Sequence, residues 1–239
     1  MSFRPFTNAF APLGVSRTSG EVIDLTSNIV GHWTFDNTPN DSSGNGRNFS
    51  AVNGPTYGSP GRVGSHYASL ASASSQYLNG ADWFHADVFS IAAWVYPATV
   101  DTNSRSIIVK RNSSLATAGT VEWALHQDSA NGVSWFCGDS TNPALNAISI
   151  VSGSALPSNT WSHVAVVQRG SGNTCSLYVN GTEVASATQA AVMRNTTSVI
   201  QMGVRTNNDN NRYWNGRFDD VRIYNRALTP TEIAALAAM

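Results

Sequence analysis

The 239-residue chain has a single lysine, Lys110, against thirteen arginines, and only 12% of its residues are charged. That is about half the usual share. With a formal net charge of −1, there is no electrostatic case for nucleic acid, and no basic run points to a membrane surface. No apolar stretch approaches the roughly 20 residues that a membrane-spanning helix needs. Cysteine is scarce too. Cys137 and Cys175 lie far apart without CxxC spacing, and each shares a strand face with apolar neighbours, so buried free thiols are expected. A chain of this size can bury enough apolar surface to dispense with disulfide staples. The opening MSFRPFTNAFAPLGV interrupts its apolar residues with Arg4, Pro5 and Pro12. It lacks the apolar region of an export leader, and none is expected.

The polar surface is therefore built from Ser, Thr, Asn and Gln, which suits an exposed, protease-resistant β protein. Residues 1–28 are broken by Pro and Gly and read as an extended arm, in which only EVIDL (21–25) can form a strand. From Ile29 onward, short β-type runs recur with turn signals between them, the pattern of a sandwich or jelly roll. In CSLYV, Cys175, Leu177 and Val179 alternate with Ser176 and Tyr178. Asn180-Gly181 then supplies a type I′ hairpin turn, because both residues tolerate positive φ. WSHVAVVQ is apolar on both faces, so that strand should be covered on both sides. At the end, LTPTEIAALAAM reads as a helix. Thr229 is the N-cap, Pro230 the first helical residue and Glu232 the other half of a capping box, with Leu228 and Ile233 as a hydrophobic staple.

The order of HWTFD…DSSGNGRN, FSIAAWVYP, LPSNTWSHVAVV with LYVNGTEVA, and WNGRFDDVRIYNRALTPTEI resembles the laminin G-like, concanavalin A-like lectin/glucanase jelly roll. The likeness covers residues 29–239 and leaves out the arm. It implies an all-β fold: a two-sheet antiparallel jelly-roll sandwich with an N-terminal arm and a short C-terminal helix. It does not fix function, since this sandwich hosts lectins, adhesion modules, glycosidases and structural domains.

The enzymatic branch of that family carries Glu-x-Asp-x-x-Glu on one strand, placing two carboxylates for retaining hydrolysis. None of the glutamates here, Glu21, Glu122, Glu183 and Glu232, is followed by Asp two positions on, and none lies five from another. GDS at 138–140 resembles a serine-esterase start, but no histidine follows His163. Lys110 lies in no phosphate-binding loop, and the five histidines form no metal-type pair. No catalytic residue is expected.

Three candidate sites remain. In related sandwiches, carboxylates near the first and last strands share a structural calcium, and Asp36, Asp41 and Asp219 match that pattern, with Asp220 as the alternative for the last. The competing reading has Asp36 and Asp41 capping turns while Asp219 pairs with Arg47 or Arg222. Strict alternation puts Asp219 on the buried face with Val221 and Ile223, where an ionised carboxylate must find a partner. For a glycan, the loop VRTNNDNNRYWNG (204–216) offers Asn207, Asp209, Tyr213 and Trp214, unless Trp214 packs into the core. Trp94, Trp123 and Trp161 read as core residues. In the arm, Phe3, Phe6 and Phe10 could anchor on a neighbouring subunit, unless the arm folds back on its own sandwich. The resulting expectation is a non-catalytic structural protein of a larger assembly: a phage virion decoration or fibre-type protein at the virion surface, joined to other subunits through residues 1–28. The alternative is an extracellular carbohydrate-binding lectin or adhesion module, with a glycosidase a distant third.

Overall fold

The computed structural model describes residues 15–18, 21–98, 103–111, 121–144, 146–204 and 212–239. In chain order the strands begin with β1 (Val15–Thr18), β2 (Glu21–Asp24), β3 (Ile29–Trp33), β4 (Ser50–Val52), β5 (Thr56–Gly58) and β6 (Tyr67–Leu70). They continue with β7 (Tyr77–Asn79), β8 (Val88–Pro97), β9 (Arg105–Arg111), β10 (Val121–Gln127), β11 (Gly132–Gly138) and β12 (Asn146–Ala155). The last are β13 (Ser162–Arg169), β14 (Thr174–Val179), β15 (Thr182–Thr188), β16 (Ile200–Met202) and β17 (Gly216–Tyr224), followed by helix α1 (Pro230–Ala237).

Two antiparallel sheets form the sandwich. One runs β12-β11-β10-β9-β16-β7-β4; the other runs β15-β14-β13-β8-β17-β6-β5, with β3 also paired to β17. Between them lies a core of alternating inward residues, including Trp33, Phe89, Trp123, Trp135, Trp214 and Phe218, as facing sheets require. The face assignments made for the cysteines hold. Cys137 and Cys175 are free thiols in this core, and burial pushes the Cys137 thiol up to about 12. Asn180 and Gly181 take φ of 49° and 80° in the tight turn that sets Val179 opposite Thr182.

The eight-stranded sheet is covered on its outer face as well. Ala92, Ala165, Val167, Tyr178 and Tyr224 point outward and pack under Leu228, Ile233 and Leu236 of the terminal segment and under Ile23 and Leu25. This explains why β13 is apolar on both sides. Thr229 and Glu232 form the expected capping box, and burying Ile233 and Leu236 contributes roughly 1.5–3 kcal/mol each. The sequence boundary at residue 28 falls inside this folded unit, since Ile23 and Leu25 are buried against its own strands. Phe3, Phe6 and Phe10 lie outside the described residues.

One irregularity decides the position of the site. In β17 the register against β8 shifts between Asp219 and Arg222, and Asp220 takes φ 44°. This bulge corrects the alternation expected from sequence. Val221 and Ile223 still face the core, but Asp219 stands opposite Trp94 and Arg222 opposite Ala92. Asp219, Asp220 and Arg222 therefore gather on the outer face.

Candidate binding site

A cavity of about 410 Å³ opens on that outer face, within the size range of small-ligand sites. Strand β3 supplies Ile29 and His32, and the segment after it supplies Thr34, Asp36, Ser42 and Ser43. Asp220 and Arg222 come from the bulged strand, and Leu25, Val63 and Met239 add apolar wall.

At its base lies a buried charge cluster. His32 Nε2 is 2.6 Å from Asp220 Oδ1. Arg222 donates to the same oxygen from Nε at 3.1 Å and from a terminal nitrogen at 2.9 Å. Burial works against the Asp220 charge, but the His32 hydrogen bond and the Arg222 guanidinium outweigh it and hold the carboxyl below its ordinary value. Arg222 also contacts the Tyr224 hydroxyl at 3.5 Å, and that hydroxyl donates to the Leu25 carbonyl at 2.9 Å. The cluster thus ties β3, β17 and the end of the arm at Leu25 together. Beside it His163 packs edge-on against Trp94, with ring centres 5.3 Å apart. It is buried, yet its Nδ1 has no hydrogen-bond partner among the described residues. Burial drives its pKa down to about 4.

The three carboxylates proposed to share calcium are not brought together. Among the described residues, no group of three His, Cys, Asp or Glu side chains is arranged to hold a metal ion. Each carboxylate is engaged by N–H and O–H donors instead. Asp36 Oδ1 accepts from Ser65 N, Ser65 Oγ and His66 N at 2.6–2.8 Å. Asp41 accepts from the backbone of His32, Ser43 and Arg47 and from Ser43 Oγ at 2.8–3.0 Å. Asp219 accepts from Arg62 N, Val63 N and Asp220 N at 2.6–2.9 Å. This is the turn-capping alternative, extended so that the 62–66 loop is pinned by Asp36 at one end and Asp219 at the other. The arginine partners named for Asp219 go elsewhere: Arg47 donates to the Trp83 carbonyl, and Arg222 pairs with Asp220. Desolvation raises the Asp219 carboxyl to about 7 despite its three backbone donors.

The glycan loop fares differently. Asn207 and Asp209 lie outside the described residues. Trp214 is fully buried and stacks on Phe218 with ring centres 5.0 Å apart. Tyr213 is also buried. Neither ring presents a face to a sugar, and Trp214 packs between the sheets as a core residue. Trp94 and Trp123 are buried as expected, whereas Trp161 is half-exposed, a correction to its assignment as core. Sequence reasoning missed the His32–Asp220–Arg222 cluster as a site. Its only signals were a histidine on the polar face of a short strand and a doubled aspartate near an arginine.

The chain belongs to the concanavalin A-like lectin/glucanases superfamily, whose Laminin_G_3 model matches residues 63–234. No curated protein sequence matches it. Among solved structures, it is similar to domain 4 of AbnA, a GH43 extracellular arabinanase from Geobacillus stearothermophilus, in complex with arabinotriose. That likeness has 20% identity and a TM-score of 0.68, covering 88% of this chain and 98% of that one. It is also similar to the binding domain of Paraclostridial Mosquitocidal Protein 1, at 20% identity and TM-score 0.68 over 89% of this chain. A third likeness is to the botulinum neurotoxin serotype D binding domain, at 17% identity and TM-score 0.66. The chain spans about half of each toxin domain, 52% in both cases. At these identities the likeness is one of fold.

Proposed function

We propose that the protein is a carbohydrate-binding module that holds a glycan in the pocket over Asp220 without cleaving it. The observation that carries this reading is the pocket wall itself. Fixed acceptors and donors on Asp36, Asp220, Arg222 and His32 stand among the hydroxyls of Thr34, Ser42 and Ser43, with Leu25, Ile29, Val63 and Met239 beside them. A sugar presents paired hydroxyls to such polar groups and C–H faces to such apolar ones. The arabinotriose in the AbnA domain 4 structure supports carbohydrate as the ligand class.

The charge states support binding without hydrolysis. A glycosidase needs one carboxyl kept protonated near its working pH. Burial opposes ionisation of Asp36, yet the donors on Ser65 and His66 keep it below its ordinary value, and Asp220 is held low as well. Asp219, the carboxyl that is raised, is fully buried beneath the 62–63 backbone and lines no part of the pocket. The test is titration calorimetry after a broad glycan panel. Wild type should bind at least one saccharide and release no reducing ends from it; reducing ends accumulating with time would make the protein an enzyme.

A second reading, attachment to a larger assembly such as a virion surface through residues 1–28, draws on one observation. Strands β1 and β2 pair with each other in a small sheet separate from both large ones, and such a ribbon offers edges to another chain. The two readings are compatible, since a displayed lectin needs an anchor. Removal of residues 2–20 should then abolish particle association while leaving glycan binding intact.

A further inference from the structure

Beyond the pocket, the same outer face of the eight-stranded sheet carries a cluster of half-exposed rings. Arg217 stands opposite Tyr96 across the β17–β8 ladder, and β6 brings Tyr67 to its other side. The Arg217 guanidinium carbon lies 4.5 Å from the Tyr67 ring centre and 4.4 Å from that of Tyr96. Trp161 meets both tyrosines edge-on, at 5.9 and 5.4 Å. The Tyr67 ring is itself fixed, because it lies across Gly58, where any Cβ would overlap it.

Arg217 is used unlike its fellows. Arg47, Arg62, Arg169, Arg194, Arg222 and Arg226 each donate to a carbonyl or a carboxylate. Arg217 makes no hydrogen bond or ion pair among the described residues; its contacts are the two ring faces. Stacking between rings satisfies the faces of a guanidinium and leaves its N–H edges unspent. Those edges form a planar fork that matches a carboxylate with two parallel hydrogen bonds. Because the rings already hold the fork, little side-chain freedom is lost when an anion docks.

We propose that the Tyr67–Arg217–Tyr96 stack is an oxyanion subsite that takes the carboxylate of a uronic-acid residue, with Trp161 beside it to meet the sugar ring. This names a ligand class for the glycan-binding reading and rests on that reading. The pocket itself does not favour an anion, since Asp36 and Asp220 are both held ionised there. An acidic polysaccharide would therefore place a neutral stretch over Asp220 and a carboxylate on Arg217.

A neutral oligosaccharide carrying a single galacturonate residue and the methyl ester of that residue separate the possibilities, because they share a backbone and differ by one charge. With the full chain, calorimetry should show the free acid binding about tenfold more tightly than the ester at low salt, as one charge-assisted pair implies. Added salt should shrink that advantage. Arg217→Gln should remove the preference and leave ester binding unchanged, and Arg217→Lys, which keeps charge without the fork, should restore only part of it. If the glutamine variant loses its fold, the wild-type Arg217 Nε–Hε NMR signal still reports, and it should shift on titration with galacturonate. Equal affinity for acid and ester, a preference that survives Arg217→Gln, or an unmoved Nε–Hε signal overturns the subsite. Binding of a neutral glycan with no binding of either galacturonate form overturns it while leaving the pocket reading standing; failure of every glycan removes both.

Discussion

Asp219 and Asp220 are consecutive in β17 and sit in opposite charge regimes. Desolvation raises the Asp219 carboxyl from 3.8 to about 7. Asp220 is also deeply buried, but the hydrogen bond from His32 and the guanidinium of Arg222 hold its carboxyl low. The bulge between them makes this possible, since it sends one carboxylate to backbone donors and the other to His32 and Arg222.

This arrangement fixes a pH dependence. Asp219 binds its proton more tightly folded than unfolded, so its contribution to stability falls as pH rises from about 4 to about 7. His163 is the reverse. It is buried neutral and lowered from 6.5 to about 4, so its contribution rises as pH climbs through nearly the same interval. The two slopes oppose, and wild-type stability should be nearly flat there. Asp219→Asn should expose the rising His163 slope, and His163→Gln should expose the falling one. Urea denaturation at several pH values reads this directly, and parallel profiles for the two variants would contradict it. Below about pH 4, loss of the charges on Asp36, Asp41 and Asp220, all held low, should destabilise every variant.

Breaking the Asp220 cluster should be severe. Asp220→Ala leaves Arg222 buried without its carboxylate, and such a change costs about 3–5 kcal/mol. Removing both charges, in Asp220→Ala with Arg222→Met, should be milder than the sum of the single changes. A double-mutant cycle by chemical denaturation measures the coupling; strict additivity would show that the pair is not energetically linked.

The terminal helix holds down the outer face through few residues. Thr229→Ala should cost about 1 kcal/mol through the lost cap, and Ile233→Ala about 2–5 kcal/mol through a cavity in the second core. Thermal melts should rank them in that order.

Truncation separates the two parts of the arm. Deleting residues 2–20 keeps Ile23 and Leu25 against Tyr224 and Ile233, so melting should stay close to that of the full chain. Deleting residues 2–26 removes both and should lower it clearly, by the loss of two buried side chains at roughly 1.5–3 kcal/mol each. Equal melting for both truncations would show that Ile23 and Leu25 contribute nothing.

The sandwich was legible because its signals are local. The two-sided apolar pattern of β13, the Asn180-Gly181 turn and the Thr229–Glu232 box each dictate structure within a few residues. The site was not, because its pairs are remote. His32 and Asp220 are 188 positions apart, and the bulge that swings Asp219 off the inner face breaks the alternation on which face assignments rest. Trp214 is in the core, the alternative the sequence left open against a sugar-stacking role. Trp161 was misjudged, because the apolar strand that follows it made it look like core, whereas the sheets' packing decides burial.

The cavity over Asp220 is proposed to bind carbohydrate. Ser42 lies on its rim at an exposed position, so Ser42→Trp should fill the cavity without disturbing the fold. The decisive measurement is calorimetric titration of wild type and this variant with the best saccharide from a broad panel. Wild type should bind saturably, and the variant should lose at least about tenfold, or roughly 1.4 kcal/mol, at unchanged melting temperature. Wild type that binds no saccharide, or a variant that binds as well as wild type, would contradict that proposal.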